Sequence, residues 1–400
     1  MHKIRMDLDF MPSPAPEQPG LLIRDPYGYS DSVLIIPPPL VAALRLLDGE
    51  HSELDLRYFF VEATGNVHAG EMAKSLLEAL DEACFLDNER FAERKAAKHR
   101  EFAESPARMP SHTGPGGYPE TPEALRGMLD GYFRESAAAE AENVLAVAAP
   151  HASPFAAWES YAAAYSAIPR SAADKTFVIL GTSHYGEPDR FGLTKKPFAT
   201  PYGETRTAPE LVDRLSRAAD GAVLMEDYCH AIEHSIEFQV VFLQHLFGPD
   251  VRVLPILCGP FGESLRNGGA PEDNEGVRRF LGALAELHAK EGKNLFWVMG
   301  VDMAHIGHRY GDAKPAQADD ETMAMVQQLD WRRIERLGAG DAEGFWNEVK
   351  ENRDPLRWCG SAPLYTFLKA VRARGRTRRY QQWNIDSSSV VTFAAMEFES

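Results

Sequence analysis

Phe177-Val178-Ile179-Leu180-Gly181-Thr182-Ser183-His184 is the stretch on which the fold turns. Four consecutive apolar residues read as a strand buried on both faces, the kind found in parallel sheets. Gly181 breaks the run, and small polar residues lead to a histidine. Open α/β sheets bind ligands just beyond the carboxyl ends of their strands, which is where His184 falls. The same grammar occurs twice more. Val144–Pro150 is apolar and ends at His151, and Leu295–Val301 is apolar and leads into Asp302-Met303-Ala304-His305. Three strands are thus expected to carry three imidazoles to one sheet edge.

Outward from these strands, helical and strand patterns alternate to the end of the chain. They predict an α/β fold with a mostly parallel sheet flanked by helices. Toward the N-terminus the pattern changes. Residues 1–19 read as an extended lead-in. Leu21–Arg24 and Ser32–Ile36 form a hairpin around turn-forming Asp25–Asp31. Three short helices follow, at Pro37–Leu47, Glu53–Glu62 and Gly70–Cys84. This is a small α+β, winged-helix-like module. The domains are therefore expected at 1–88 and 123–400. Between them, 89–122 reads as a linker, first a charged solvated helix and then a Pro/Gly-rich stretch. The run Arg372–Arg379, with five arginines, reads as the solvated C-terminal end of a helix over Ala362–Arg372.

Composition sets outer bounds. The chain has 400 residues, 44% of them hydrophobic and 25% charged, as in an ordinary globular protein of two domains. A net charge of −17 argues against nucleic acid and anionic membranes as partners. No apolar run approaches the ~20 residues that span a bilayer. The N-terminus lacks the apolar core of a secretory leader, so a cytoplasmic protein is expected. The four cysteines are widely spaced and read as free thiols.

The candidates for chemistry are His151, His184, His305 and Cys359. Imidazole is the commonest metal ligand and needs an acceptor behind its second nitrogen. Asp302, Glu233 and Glu237 are available for that. A buried structural role suits each histidine equally when it is taken alone. Cys359, before Gly360, stands at the start of a helix, where thiolate is favoured; a buried thiol beneath Trp358 is the alternative. His230 and His234 are four apart, but Ala231 stands where a zincin needs its glutamate. Nucleotide-binding glycine motifs and the serine-hydrolase elbow are absent.

Seven segments in order carry a family resemblance: Gly117-Tyr118-Pro119, Ala149-Pro150-His151-Ala152, Ile179–His184, Glu233-His234-Ser235-Ile236-Glu237, Val253–Leu257, Asp302-Met303-Ala304-His305 and Cys359-Gly360. With them residues 106–400 resemble the Memo family, in particular the bacterial AmmeMemoRadiSam system protein B. The N-terminal module is similar to small peptide-binding domains of the PqqD type. The Memo fold resembles that of class III extradiol ring-cleavage dioxygenases. That resemblance implies His151, His184 and Cys359 as metal ligands, with Fe(II) as the first choice and copper or zinc as alternatives. It also implies His305 as the catalytic acid/base, oriented by Asp302, with His234 lining the pocket. Phe155, Tyr185 and Tyr202 would stack on a small aromatic substrate. The implied function is a non-haem Fe(II)-dependent oxidoreductase, working with a radical-SAM protein and an AMMECR1-like protein. A non-catalytic metal-binding scaffold and a metal-dependent hydrolase are the alternatives. Cysteine stands where the dioxygenases have a carboxylate, and Ser153-Pro154 replaces the usual Gly-Tyr after Pro-His-Ala.

Overall fold

A computed structural model describes the chain apart from residues 14, 66–68, 136–142 and 220. The chain divides into two compact units, Met1–Glu104 and Ser105–Ser400.

In the second unit, Leu295–Gly300 lies inside a sheet of 10 strands among the described residues. Thr176–Thr182 and Val144–Ala149 flank it, both parallel to it. Arg252–Cys258 extends this parallel block beyond Thr176–Thr182. Gly300 is in register with both Ala149 and Gly181, so the three strands leave the sheet level with one another. Side chains alternate between two cores. Trp297, Met299, Val178 and Leu180 enter one, and Phe296, Val298, Phe177 and Ile179 the other. Burial on both faces is why these strands are continuous apolar runs.

The sheet is mixed: among the described residues five of its nine strand pairings are parallel and four antiparallel. Phe191–Leu193, Ser389–Glu399 and His305–Gly307 join by antiparallel pairing. A long strand, Arg374–Asp386, was not foreseen. It takes in most of the arginine run, and the helix before it, Ser361–Ala370, has already ended. Arg374, Arg376 and Arg378 recur at the period of a strand. Arg376 and Arg378 both pair with Glu397, whose side chain is fully buried. The helix expected over Glu123–Ala139 is Pro122–Glu135; its continuation over 136–139 lies outside the described residues. None of the described helices is long and apolar enough to cross a membrane.

Helix His234–Phe247 is buried without a break from Ser235 to Gln244. It begins hard against the strand ends. A Cβ at Gly181 would lie 2.6 Å from Ser235 Oγ, and one at Gly300 would strike the Ser235 carbonyl. These two glycines let the helix start sit over the carboxyl edge of the sheet.

The first unit is α+β. Strands Asp9–Pro12, Leu21–Arg24 and Val33–Ile36 form an antiparallel sheet, with helices Glu53–Thr64, Ala69–Glu82 and Glu89–Glu104. The lead-in thus supplies a strand. Glu89–Glu104 is part of this unit instead of a solvated linker: its Phe91 is buried and lies 3.8 Å from the Arg5 guanidinium. Residues 105–122, also read as linker, belong to the second unit, because Arg108 and Tyr118 are fully buried in it.

Candidate metal centre

The level strand ends deliver His151, His184 and Asp302 to one place, and the start of helix His234–Phe247 adds His234. Among the described residues, ligand atoms of His151, His184 and His234 lie within 4.8 Å of one another. The ring centroids of His151 are 4.9 Å from His184 and 5.2 Å from His234. His184 and His234 stack at 5.1 Å.

Each ring is held from behind. His151 Nδ1–H donates to the Gly300 carbonyl at 3.0 Å, leaving Nε2 for the site. Its backbone N–H, and that of Ala152, donate to Asp302 Oδ1. Gln239 donates to the Pro150 carbonyl at 2.9 Å, fixing the approach to His151. His184 Nδ1–H donates to Glu233 at 3.1 Å. His234 Nδ1 is 3.2 Å from the same carboxylate. Glu233 also caps the helix by accepting from the backbone of His234 and Ser235. One carboxylate therefore orients two imidazoles, the arrangement that fixes a metal-binding tautomer.

Electrostatics favour the neutral donor form at two of the three imidazoles. Burial, then the His184 ring, pushes His151 down to a pKa of about 3, so it is a neutral imidazole at neutral pH. Burial, with its neighbouring imidazoles, holds His234 well below the ordinary range against the pull of Glu233. Burial also opposes charge on His184, but Glu233 and Cys359 outweigh it and raise its pKa well above the usual value. Cys359 Sγ lies 3.3 Å from His151 Nε2. Burial pushes its thiol up, with His184 opposing, so the helix start does not by itself make a thiolate here. Three imidazoles and a thiol with aligned acceptors behind them fit a first-row transition metal.

His305 stands beside the cluster with its ring edge-on to Tyr310 at 4.9 Å. Its Nδ1–H donates to the carbonyls of Met303 and Arg357. Asp302 makes no hydrogen bond to it, which corrects the expected orienting role; that carboxylate serves His151. Tyr185 lies 6.2 Å from His184, ring to ring, and Phe155 is exposed. Tyr202 is not at the site. Its hydroxyl meets His245 at 3.1 Å, roughly 16 Å along the helix from His234 at 1.5 Å per residue. His230 Nε2–H donates to the Gly192 carbonyl at 3.0 Å, and the ring is buried away from the cluster.

Sequence reasoning missed the wall behind His234. Glu237, one turn further along the helix, forms a fully buried ion pair with Arg108 at 2.6 Å. It also accepts from Ser111, from His112 Nδ1 at 2.8 Å and from the Tyr118 hydroxyl at 2.5 Å. All four partners come from the stretch read as a linker. The one signal was Gly117-Tyr118-Pro119, whose tyrosine proves to be a ligand of Glu237.

The comparisons with known proteins cover this unit and, for one relative, nearly the whole chain. A MEMO1 family protein of Aquifex aeolicus is 27% identical over 385 residues, covering 94% of this chain and 95% of that protein. One from Thermococcus kodakarensis is 28% identical over 264 residues, covering 64% and 85%. An uncharacterised Escherichia coli K12 structure overlaps with a TM-score of 0.38 at 14% identity, covering 63% of this chain and 98% of that one. The sequence model of the Memo-like protein family matches residues 108–397, from Arg108 of the buried pair almost to the end of the last strand. The chain belongs to the Memo-like family.

Proposed function

We propose that Ser105–Ser400 binds a first-row transition metal and acts as a non-haem Fe(II)-dependent oxidoreductase resembling the class III extradiol dioxygenases. The observation that carries this is the convergence of His151, His184 and His234 within 4.8 Å, each backed by an acceptor. His151, His184 and Cys359 would hold the metal, with His234 near enough to serve as a further donor. A bound metal there supplies a redox centre and a Lewis acid. A soft thiolate among the donors suits iron, copper or zinc.

The protein's own groups do the rest. With Nδ1 of His305 held by two carbonyls, Nε2 is its basic nitrogen. Burial lowers its pKa, so it is neutral and able to accept a substrate proton at neutral pH. Tyr185 and the exposed Phe155 offer faces to a small aromatic substrate.

Elemental analysis of protein prepared without oxygen, beside a His184→Ala variant, tests the metal. About one metal per chain is expected, falling to background in the variant. Oxygen uptake with a panel of catechols tests the reaction. The closeness of His234 favours a second reading, since three imidazoles also suit zinc and hydrolysis. Zinc in the analysis, with no oxygen uptake, selects it.

The likeness to the AmmeMemoRadiSam group extends the proposal to a radical-SAM and an AMMECR1-like companion. Met1–Glu104 is then a PqqD-like, winged-helix-like docking element, and a scaffold role without catalysis would rest on it. Pull-down of the radical-SAM companion with and without residues 1–100 tests this. Unchanged association would remove the docking role.

A further inference from the structure

Glu237 receives more than it needs for neutrality. Besides the Arg108 guanidinium, it accepts the backbone N–H groups of Ser111 and His112, the Ser111 hydroxyl, the His112 ring and the Tyr118 hydroxyl. A carboxylate offers about four lone-pair positions, so this one is saturated and buried, and its work is anchorage. Arg108 grips the chain on the other side of His234 as well. Its Nε donates to the His230 carbonyl at 2.8 Å and its Nη2 to the Glu233 carbonyl at 2.9 Å. Residues 108–118 are therefore fastened both before and after His234.

What this anchorage presents to the site is His112. Its ring lies 5.2 Å from that of His234 and edge-on to Phe238 at 5.8 Å, with its Nδ1 held on Glu237. His184 stacks against the same His234 ring at 5.1 Å. The His234 side chain is 25% exposed, and among the described residues its ring nitrogen lies near one carboxylate, Glu233, shared with His184, with the Phe238 ring 5.5 Å away. Without neighbours on its faces the ring would be free to turn about χ2, which is broad for histidine.

We propose that segment 108–118 is a brace for His234, and that His112 is the positioning residue that fixes the orientation of that imidazole toward the metal. The proposal rests on the metal reading above and adds His234 to the working donor set. It also gives the Arg108–Glu237 pair a purpose beyond stability.

The test is Co(II) titration of full-length, chelator-treated protein, followed by the visible absorption of the bound ion. His112→Ala is expected to weaken Co(II) binding about tenfold, the low end for groups behind a ligand. Its absorption bands should move while the thermal midpoint stays at the wild-type value. His112→Phe keeps an aromatic ring beside His234 and should restore the bands and most of the affinity. If His112→Ala binds Co(II) with wild-type affinity and bands, the brace is wrong and the metal site stands. If the wild type itself binds no Co(II), both fall. Should His112→Ala lower the thermal midpoint, His112→Phe decides: near-normal binding supports the brace, and lost binding in a folded protein overturns it.

Discussion

Arg5 in the N-terminal unit and His151 in the C-terminal unit are both polar groups taken out of water, and their surroundings are built in opposite ways. Arg5 donates to Asp7, to Asp25 and to the Cys84 carbonyl, with Phe91 over its guanidinium. Positive charge meets negative charge and the cluster closes on itself. His151 meets two more imidazoles and a thiol, with Asp302 Oδ2 3.6 Å from its Nε2. Its acceptors lie behind it, and the remaining lone pairs are turned toward one another. The first arrangement is complete as it stands. The second gathers donors of one kind around a point, which is costly in a buried place unless a cation fills it. Buried polar clusters thus divide into those that hold a fold and those that hold a ligand, and what separates them is whether several groups able to donate to a cation face one point.

The largest test of that contrast removes donors. The His151→Ala/His184→Ala double variant is expected to lose metal to background by elemental analysis. After chelation the second unit should also lose about 2–4 kcal/mol, because the His151–Gly300 and His184–Glu233 hydrogen bonds go with the rings. Asp25→Ala should act on the first unit alone. It takes the buried partner from the Arg5 guanidinium and leaves it the half-exposed Asp7, costs about 3 kcal/mol and leaves the metal content unchanged. Urea unfolding followed by far-UV circular dichroism measures this. All six tryptophans lie beyond residue 157, so their emission reports the second unit alone. Metal at one hundred times its dissociation constant should stabilise the tryptophan-reported transition by about 2.7 kcal/mol. Ser52→Ala is the smallest change. It deletes the capping box of Glu53–Thr64 and should cost about 1 kcal/mol in the first unit, with no effect on metal.

The four parallel strands were legible because burial on both faces leaves an unmixed apolar signature, as in Phe177–Leu180. Three of them also announced the site, through a histidine placed just beyond the sheet end. The partners of those histidines were harder to read. The role of Glu233 depends on a helix start brought near by Gly181 and Gly300, and contacts of that kind leave no periodic trace. Residues 105–122 misled for a related reason. Their prolines and glycines describe an irregular backbone, and irregular backbone can be exposed or locked around a buried carboxylate. Arg374–Asp386 misled through composition: its arginines look solvated, and only the depth of Glu397 explains them.

That last strand has a consequence for the protein in concentrated solution. Its 13 residues pair with Ser389–Glu399 along one side, and no described strand pairs with the other. An open border of that length invites a second molecule to add itself to the sheet. Two shifts of register, at Thr377/Arg379 and Asn384/Asp386, interrupt the ladder. A copy paired antiparallel about Tyr380 would set Arg374 against Asp386, so charge alone does not repel it. The two breaks in the ladder are what guard the rim, and removing them would leave it open to self-association.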